Sequence, residues 1–117
     1  MSDLKWEEFE RVDFRVGTII NAEIFEKAIK PALKLEIDFG ASIGVKKSSA
    51  QITDHYDPSD IIGKQVCAVI NFPRKQIGPF YSECLVTGFI QDDGTVILAV
   101  PDKKVKNGLK LAYNFNL

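Results

Sequence analysis

The stretch LKLEIDF, from Leu33 to Phe39, alternates apolar and charged side chains without a break. Its four apolar residues fall on one side of an extended chain and its three charged residues on the other, which is the period of a half-buried β-strand. Gly40 and Gly44 follow and permit a tight reversal into a second strand from Val45 to Ala50. This hairpin predicts a β protein whose core lies on one face of the sheet.

Three further strand segments follow the hairpin along the chain. They run from Gln65 to Asn71, from Glu83 to Ile90 and from Thr95 to Val100, and the turn signal DDG separates the last two. The segment DPSD predicts a brief helical turn over Pro58 to Ile62. Many short strands with one helical turn between them predict an all-β fold, a five-stranded OB-fold Greek-key barrel.

Both ends of the chain predict extensions to this barrel. Residues 1–12 predict a short helix capped by Ser2 or Asp3, and residues 109–117 alternate as a C-terminal strand. An aromatic-rich tail is a costly surface in a monomer, so we expect it to bury its apolar side in a second subunit; completing its own sheet is the alternative. The expected interface residues are Trp6, Phe9, Leu111, Tyr113 and Phe115. For the first two, capping of the domain's own core stays open as the other interpretation.

The composition is typical of one compact module. With 117 residues, 45% of them hydrophobic, the chain is expected to form a single domain over residues 1–117. The apolar runs are too short to cross a bilayer, and the first ten residues are acidic, unlike a signal peptide. We therefore expect a cytoplasmic protein with no membrane insertion. Cys67 and Cys84 lie in apolar strands without metal-site spacing and are expected to be free thiols.

The charge balance limits nucleic-acid binding. The formal net charge is −1 and the pI is near 5.8. Five acids fall in the first thirteen residues, and the rest of the chain holds 13 basic and 11 acidic residues. Phosphate binding usually leaves a basic footprint, so any RNA binding is expected to be weak and salt-sensitive, with local clusters supplying the attraction.

The sequence does not predict catalysis. His55, the only histidine, lies in the polar stretch TDHYDP, with no nucleophile or metal ligand at a fixed spacing. No phosphate-binding loop or nucleophile motif occurs, and the pair Asp92 and Asp93 is what a hairpin turn before glycine needs. We predict a protein that is not an enzyme and carries no cofactor or metal.

The candidate binding surface lies in NFPRKQIGPFYSECLVTG, from Asn71 to Gly88. Two prolines and a glycine interrupt strand pairing, so Arg74 and Lys75 are expected to reach the surface on a loop, next to the polar pair Ser82 and Glu83. The strand VKKSSA carries little core volume and is expected to lie beside this loop. The residues expected to contact a ligand are Lys46, Lys47, Ser48, Ser49, Gln51, Asn71, Arg74, Lys75, Phe80, Ser82 and Glu83.

This stretch closely resembles the signature of the tRNA-binding-domain family, and within it the CsaA-type export-chaperone branch. Four further blocks carry the resemblance in the same order, namely DFRVGTIINAEIF from Asp13, KPALKLEIDFG from Lys30, IGVKKSSAQIT from Ile43 and PDKKVKNGLKLA from Pro101. Together the five blocks span about nine-tenths of the chain. The resemblance implies an OB fold and a homodimer formed by extensions outside the barrel.

Two binding functions follow from the resemblance. The chaperone branch implies that the chain holds unfolded preproteins or peptides for secretion, with the SSAQ strand and the loop around Pro79 and Phe80 supplying backbone partners and apolar contacts. A secretion ATPase is then a candidate partner. The alternative is tRNA or another structured RNA on the same OB-fold face, with the basic residues on phosphates and the polar residues on sugars or bases.

Overall fold

The strands dominate the architecture, which a computed structural model describes for residues 2–112. Nine strands and two short helices occur in this part of the chain. In chain order they are α1 (Trp6–Glu10), β1 (Phe14–Ile24), β2 (Leu33–Asp38), β3 (Val45–Ala50), α2 (Pro58–Ile61), β4 (Gln65–Val69), β5 (Lys75–Ile77), β6 (Phe80–Ser82), β7 (Leu85–Val86), β8 (Gly88–Ile90) and β9 (Val96–Leu98). Neither helix found in residues 2–112 has the length or apolar character that a bilayer-spanning helix requires.

Five strands form one antiparallel sheet in the order β3, β2, β1, β4, β7. The long strand β1 pairs with β4 through its first half and with β2 through its second half, and its register shifts between Ile19 and Asn21. The sheet curls until β3 meets the chain just before β7, where the Glu83 N–H donates to the Lys47 carbonyl at 2.8 Å. This nearly closed barrel confirms the predicted five-stranded OB fold.

The barrel core is the face predicted from the alternating stretch of β2. Leu33, Leu35, Ile37 and Phe39 are each 1% exposed or less. They pack closely against β1, where a Cβ on Gly17 would come within 2.7 Å of a methyl carbon of Ile37. Glycine is therefore required there by close packing, since a larger side chain would overlap the core.

Several element boundaries differ from the sequence prediction. The strand expected over Glu83 to Ile90 is two strands, because the chain changes partner at Thr87: its N–H and its hydroxyl both donate to the Cys67 carbonyl of β4, at 3.0 and 2.8 Å, while its carbonyl accepts from the Ala99 N–H at 3.1 Å. Beyond Thr87 the chain pairs with β9 instead of β4. Helix α1 begins at Trp6, and the Lys5 N–H donates to Glu8 Oε1 at 3.0 Å, so the capping expected from Ser2 or Asp3 is wrong. The helical turn at Pro58 and the DDG turn are confirmed.

The start of the C-terminal tail runs along β1 of its own barrel. The Gly108 N–H donates to the Val16 carbonyl at 2.8 Å, and the Leu111 N–H donates to the Phe14 carbonyl at 2.8 Å. Leu111 nevertheless keeps 49% of its side-chain surface exposed, and Trp6 keeps 65%. The other two tail residues of the predicted interface, Tyr113 and Phe115, lie outside the described residues.

Candidate functional site

The basic segment predicted as a loop is a β-hairpin. Strands β5 and β6 pair in the register Lys75 with Ser82, Gln76 with Tyr81 and Ile77 with Phe80. The turn between them is Gly78-Pro79, and Gly78 has a φ of +60°. A positive φ at the first turn residue is typical of tight hairpin turns and favours glycine. The residues that suggested an interruption therefore make the hairpin possible.

The outer edge of β5 is available for pairing. Within residues 2–112, β5 has only β6 as a paired strand. In a hairpin with a two-residue turn the pair next to the turn is hydrogen-bonded, so the backbone N–H and C=O of Gln76, one pair further out, point away from β6. An extended chain could add to this edge through those groups.

Hydrogen bonds fasten the hairpin to β3. The Lys47 N–H donates to Glu83 Oε1 at 3.0 Å, and the Cys84 carbonyl accepts from the hydroxyls of Ser48 at 2.9 Å and Ser82 at 3.2 Å. We call this junction between β3 and residues 83–84 the seam. Burial raises the pKa of the Cys84 thiol to about 11, although the Ser48 hydrogen bond opposes the shift. Both cysteines are free in the structure, with Cys84 buried and Cys67 half-buried.

Two predicted ligand-contacting residues instead have structural partners. Ser48 is 1% exposed, because strand alternation turns it into the barrel, and its hydroxyl serves the seam. The Asn71 amide donates to the Arg11 carbonyl at 2.6 Å, and its oxygen accepts from the Asp13 N–H at 3.0 Å. Ser48 is too buried to face a ligand, so that expectation is wrong, whereas the ligand contact expected of exposed Asn71 stays a prediction. Asn71 fixes the N-terminal segment to the end of β4.

The other β3 residues divide between the two faces of the strand. Lys47 and Ser49 lie on the outer face, while Lys46 lies on the side of Ser48 and is half-buried. Gln51, just past the end of β3, is exposed. Of these residues, Lys47 lines a pocket together with Phe80 of the hairpin.

The cations of the hairpin are exposed and near aromatic or apolar groups. The Arg74 guanidinium carbon lies 4.9 Å from the centre of the Tyr81 ring, a cation–π contact. Lys75 borders a cavity of about 300 Å³ below the hairpin. Neither cation forms an ion pair with any residue in the described range. Their charges are thus available to a ligand.

The cavity beside Lys75 is mostly apolar. It is lined by Phe72, Pro73, Lys75, Ser82, Cys84 and Leu85. Phe72 is 56% exposed and Leu85 is 51% exposed, so both apolar side chains are open to a ligand. The sequence prediction missed Leu85, because its place in an apolar run indicated core. Its outward direction follows from the pairing with β4.

The outer face of β2 and β3 carries charges of both signs. Glu36 lies opposite Lys47, accepts a hydrogen bond from Asn21 at 3.1 Å and borders a 160 Å³ pocket that Phe80 also lines. Beside it, Lys34 and Glu23 form an ion pair at 2.8 Å. Charges that are already balanced in this way attract a polyanion weakly.

An open cleft of about 800 Å³ continues this surface between the β1–β2 loop and the hairpin turn. Its wall holds two aromatic rings, Phe25 and Phe80, whose centres are 5.3 Å apart in an edge-on arrangement. The Lys34 ammonium lies 5.6 Å from the centre of the Phe25 ring. Sequence reasoning did not select Phe25 or Lys34, which lie in segments remote from the basic stretch. We call β5, β6, the apolar cavity, this cleft and the outer face of β3 together the hairpin site.

Residues 2–112 contain no group of three or more histidine, cysteine or acidic side chains placed to hold a metal ion. The hairpin site offers hydrogen-bonding edges, apolar surface and exposed cations. This arrangement is suited to non-covalent binding.

Comparisons with known proteins agree with a binding domain. The family described as "Putative tRNA binding domain" matches residues 14–110 of this chain. The methionine–tRNA ligase of Porphyromonas gingivalis is 33% identical over 106 residues, which are 91% of this chain and 15% of the ligase. The chain therefore spans about 15% of the length of the curated relatives it matches.

Two solved structures of proteins about as long as this chain are also similar to it. The chaperone CsaA of Bacillus anthracis is 46% identical, with a TM-score of 0.89 covering 95% of this chain and 100% of that one. The CsaA chaperone protein of Picrophilus torridus is 48% identical, with a TM-score of 0.87 covering 94% of this chain and 100% of that one. The fold of this chain thus occurs in proteins of similar size.

Proposed function

The chain belongs to the putative tRNA binding domain family and is similar to solved CsaA chaperones, and from this premise we propose that it binds extended segments of unfolded polypeptides at the hairpin site. The family is a binding domain and not a catalytic one. The similarity to chaperones supports a polypeptide ligand. The sequence resemblance to the export branch adds preproteins held for secretion as the proposed clients.

The observation that carries this proposal is the apolar cavity next to a strand edge that has no partner among residues 2–112. An extended polypeptide offers backbone groups at a two-residue period and side chains that alternate between its faces. The edge at Gln76 can take the backbone, and the cavity at Phe72 and Leu85 can take an apolar side chain. Backbone pairing of this kind has little sequence preference, as a chaperone requires.

The charges at the hairpin site support the same choice of ligand. Glu36 and Glu83 lie among the cations Lys47 and Lys75, so the site has no uniform positive field. Mixed charges suit polypeptides, which carry both signs, better than a phosphate backbone.

We also propose that the chain acts as a homodimer through its two terminal extensions. Leu111 is half-exposed beside β1, and Trp6 exposes 65% of its surface on α1. Two hairpin sites on one rigid dimer would hold a single extended chain more tightly than either site alone. Removing residues 110–117 should therefore give monomers or aggregates in light scattering. A truncated protein that stays a stable dimer would contradict this interface.

A binding experiment tests the polypeptide proposal directly. A fluorescently labelled unfolded preprotein is titrated with the wild-type chain and with Phe72→Ala, and anisotropy is recorded at low and moderate salt. Phe72→Ala should raise the dissociation constant about tenfold, as expected for loss of a central aromatic contact. The matched control is Phe89→Ala, which removes a ring that is 68% exposed on β8 and does not line the cavity. Equal binding by both variants would place the client elsewhere.

RNA binding is the second candidate function, and the family match favours it. The matched family is described as a tRNA binding domain, and the similar curated proteins are named methionine–tRNA ligases. In the titration above, labelled bulk tRNA is compared with the preprotein. If the preprotein stays bound at moderate salt while tRNA dissociates, the chaperone function is supported. The reverse result makes the chain an RNA-binding module.

A further inference from the structure

A second charged surface lies on the barrel outside the hairpin site. A depression of about 340 Å³ separates the start of β4 from the loop that follows β9. Lys64, Lys103 and Lys104 line it, and Lys106 lies two residues further along the same loop. We call these four residues the lysine surface. All four are exposed, and none forms an ion pair with a residue in the range 2–112.

The loop that carries three of these lysines is fixed to the barrel. The Gln65 side chain pairs with the Val105 backbone through two hydrogen bonds, of 2.6 and 3.0 Å. The Asn107 amide oxygen accepts from Gln65 at 3.0 Å and from the Thr18 hydroxyl at 2.9 Å. These bonds fix the loop at Val105 and Asn107, next to Lys104 and on either side of Lys106, and so limit how much of the loop a ligand has to order. A preorganised surface loses less entropy when it binds.

The position of Gly108 explains how the loop lies so close to the core. A Cβ at residue 108 would be 2.5 Å from the carbonyl oxygen of Phe39, and the φ of Gly108 is +91°. Only glycine combines that φ with that approach. The lysine surface is therefore placed by backbone geometry that the core of the barrel dictates.

The lysine surface and the hairpin site lie on different sides of the barrel. The lysine surface flanks the junction of β1 with β4, whereas the hairpin site flanks the seam between β3 and residues 83–84. In the strand order of the barrel these two junctions are separated by β4 and β7 on one side and by β1, β2 and β3 on the other. The residues lining the depression are absent from the cavity and pockets of the hairpin site.

The charge pattern also separates the two surfaces. The hairpin site mixes acids with its cations, whereas the depression at the lysine surface is lined by one acid, Asp102. Ammonium groups are point charges that pair well with phosphates and release counterions on binding. The residues lining the depression include no aromatic side chain, so a base has no ring on which to stack there. These features favour the backbone of a nucleic acid over its bases.

We propose that the lysine surface binds the phosphodiester backbone of RNA, and that it does so independently of polypeptide binding at the hairpin site. RNA binding at this surface is sequence-independent, because only phosphates are contacted. It is also compatible with the negative net charge, since the four lysines act locally. One molecule can then hold RNA and an unfolded chain at the same time.

The test uses fluorescently labelled bulk tRNA, titrated with the full chain over a series of salt concentrations. The double variant Lys103→Gln/Lys104→Gln is compared with Arg74→Gln/Lys75→Gln, which removes the same charge from the hairpin. The first variant should weaken tRNA binding about tenfold at low salt and lower the slope of log affinity against log salt by about 1.5. The second should weaken tRNA binding less than the first. Circular dichroism melting confirms that both variants are folded.

Three outcomes overturn the proposal. The hairpin variant losing more tRNA affinity than the loop variant would place RNA at the hairpin site. Equal losses in both variants would mean that only overall charge matters, and no tRNA binding by the wild type at low salt would leave the lysine surface without its ligand.

In a final arm, excess unlabelled unfolded preprotein is added to the tRNA complex. Anisotropy that stays or rises, at a preprotein concentration that saturates the protein in the separate preprotein titration, supports two separate surfaces, and a fall to the value of free tRNA refutes them. Because the preprotein titration is read separately, failure of the chaperone function is distinguishable from failure of this proposal.

Discussion

Glu83 gives the sharpest test of how the hairpin site is built. Its carboxylate accepts the Lys47 N–H at 3.0 Å, and its own N–H donates to the Lys47 carbonyl at 2.8 Å. Replacing Glu83 with alanine removes the first bond and keeps the second. Replacing it with glutamine removes the charge but keeps an acceptor oxygen at the same position. The two variants therefore separate the hydrogen bond from the charge.

The magnitude follows from exposure at the seam. A hydrogen bond to a charged group contributes about 1.5–3 kcal/mol. Because Lys47 is exposed, water can replace part of the lost bond, and Glu83→Ala should destabilise the fold by about 1 kcal/mol. For a chain of 117 residues this corresponds to a fall in Tm of about 4 °C. Glu83→Gln should melt within about 1 °C of the wild type, since a neutral acceptor keeps most of the bond. Both values come from thermal unfolding followed by circular dichroism.

Preprotein binding supplies the second readout for the same variants. If Glu83 acts by positioning the hairpin, Glu83→Ala weakens binding and Glu83→Gln binds like the wild type. If its charge contacts the ligand directly, both variants bind weakly although only the alanine variant is destabilised. Equal destabilisation by glutamine and alanine would refute the hydrogen-bond reasoning itself.

Three other predictions concern the strand edge, the core and the thiols. Gln76→Pro should weaken preprotein binding because it removes an outward N–H, while Gln76→Ala, which keeps that N–H, should bind the preprotein normally. Equal binding by the two variants in anisotropy titrations would exclude pairing at this edge. Gly17→Ala should lower the free energy of unfolding by about 1–3 kcal/mol in urea titrations, since its Cβ would overlap Ile37, and wild-type stability would contradict the close packing. Alkylation followed by mass spectrometry should modify half-buried Cys67 before Cys84, because the Cys84 pKa of about 11 leaves about one thiolate in a thousand at pH 8. The alkylation rate of Cys84 should rise steeply up to pH 11, and fast alkylation at neutral pH would mean that the seam opens.

The pKa of Cys84 also gives stability a direction with pH. The thiol is held protonated by burial in the folded state, whereas the unfolded chain ionises near its ordinary value of 9.0. The unfolded state therefore binds fewer protons between that value and about 11, and the contribution of Cys84 to stability is present below pH 9 and lost as pH rises through this window. Cys84→Ala removes this contribution and serves as the reference for the ionisation of other groups.

The candidate site was only partly predictable, because a loop signal and a hairpin signal share the same residues. Gly78 and Pro79 mark a turn in either case, and two three-residue strands are too short to show a period. The exposed cations Arg74 and Lys75 were predicted correctly as surface residues. The apolar cavity was not predicted, because its residues Phe72 and Leu85 are separated in sequence and come together only in the fold.

The sequence by itself determined the elements whose signals are local. The alternation from Leu33 to Phe39 predicts a half-buried strand because side chains on a strand point to opposite faces, and the glycine-containing turns follow from backbone sterics at one residue. These rules act over a few residues, so they could be read without knowing the fold. They were sufficient for the barrel class and for most of its strands.

Only the tertiary structure decided which polar side chains are free to bind. Asn71 has a partner in the fold because Asp13, 58 residues away, comes to lie beside it, and the Ser48 hydroxyl has one because the seam brings the Cys84 carbonyl to it. In the same way Lys64 and Lys103 share one surface because the loop after β9 returns to the start of β4. Hydrogen-bond partners and shared charge depend on distance in space, which local sequence patterns do not encode.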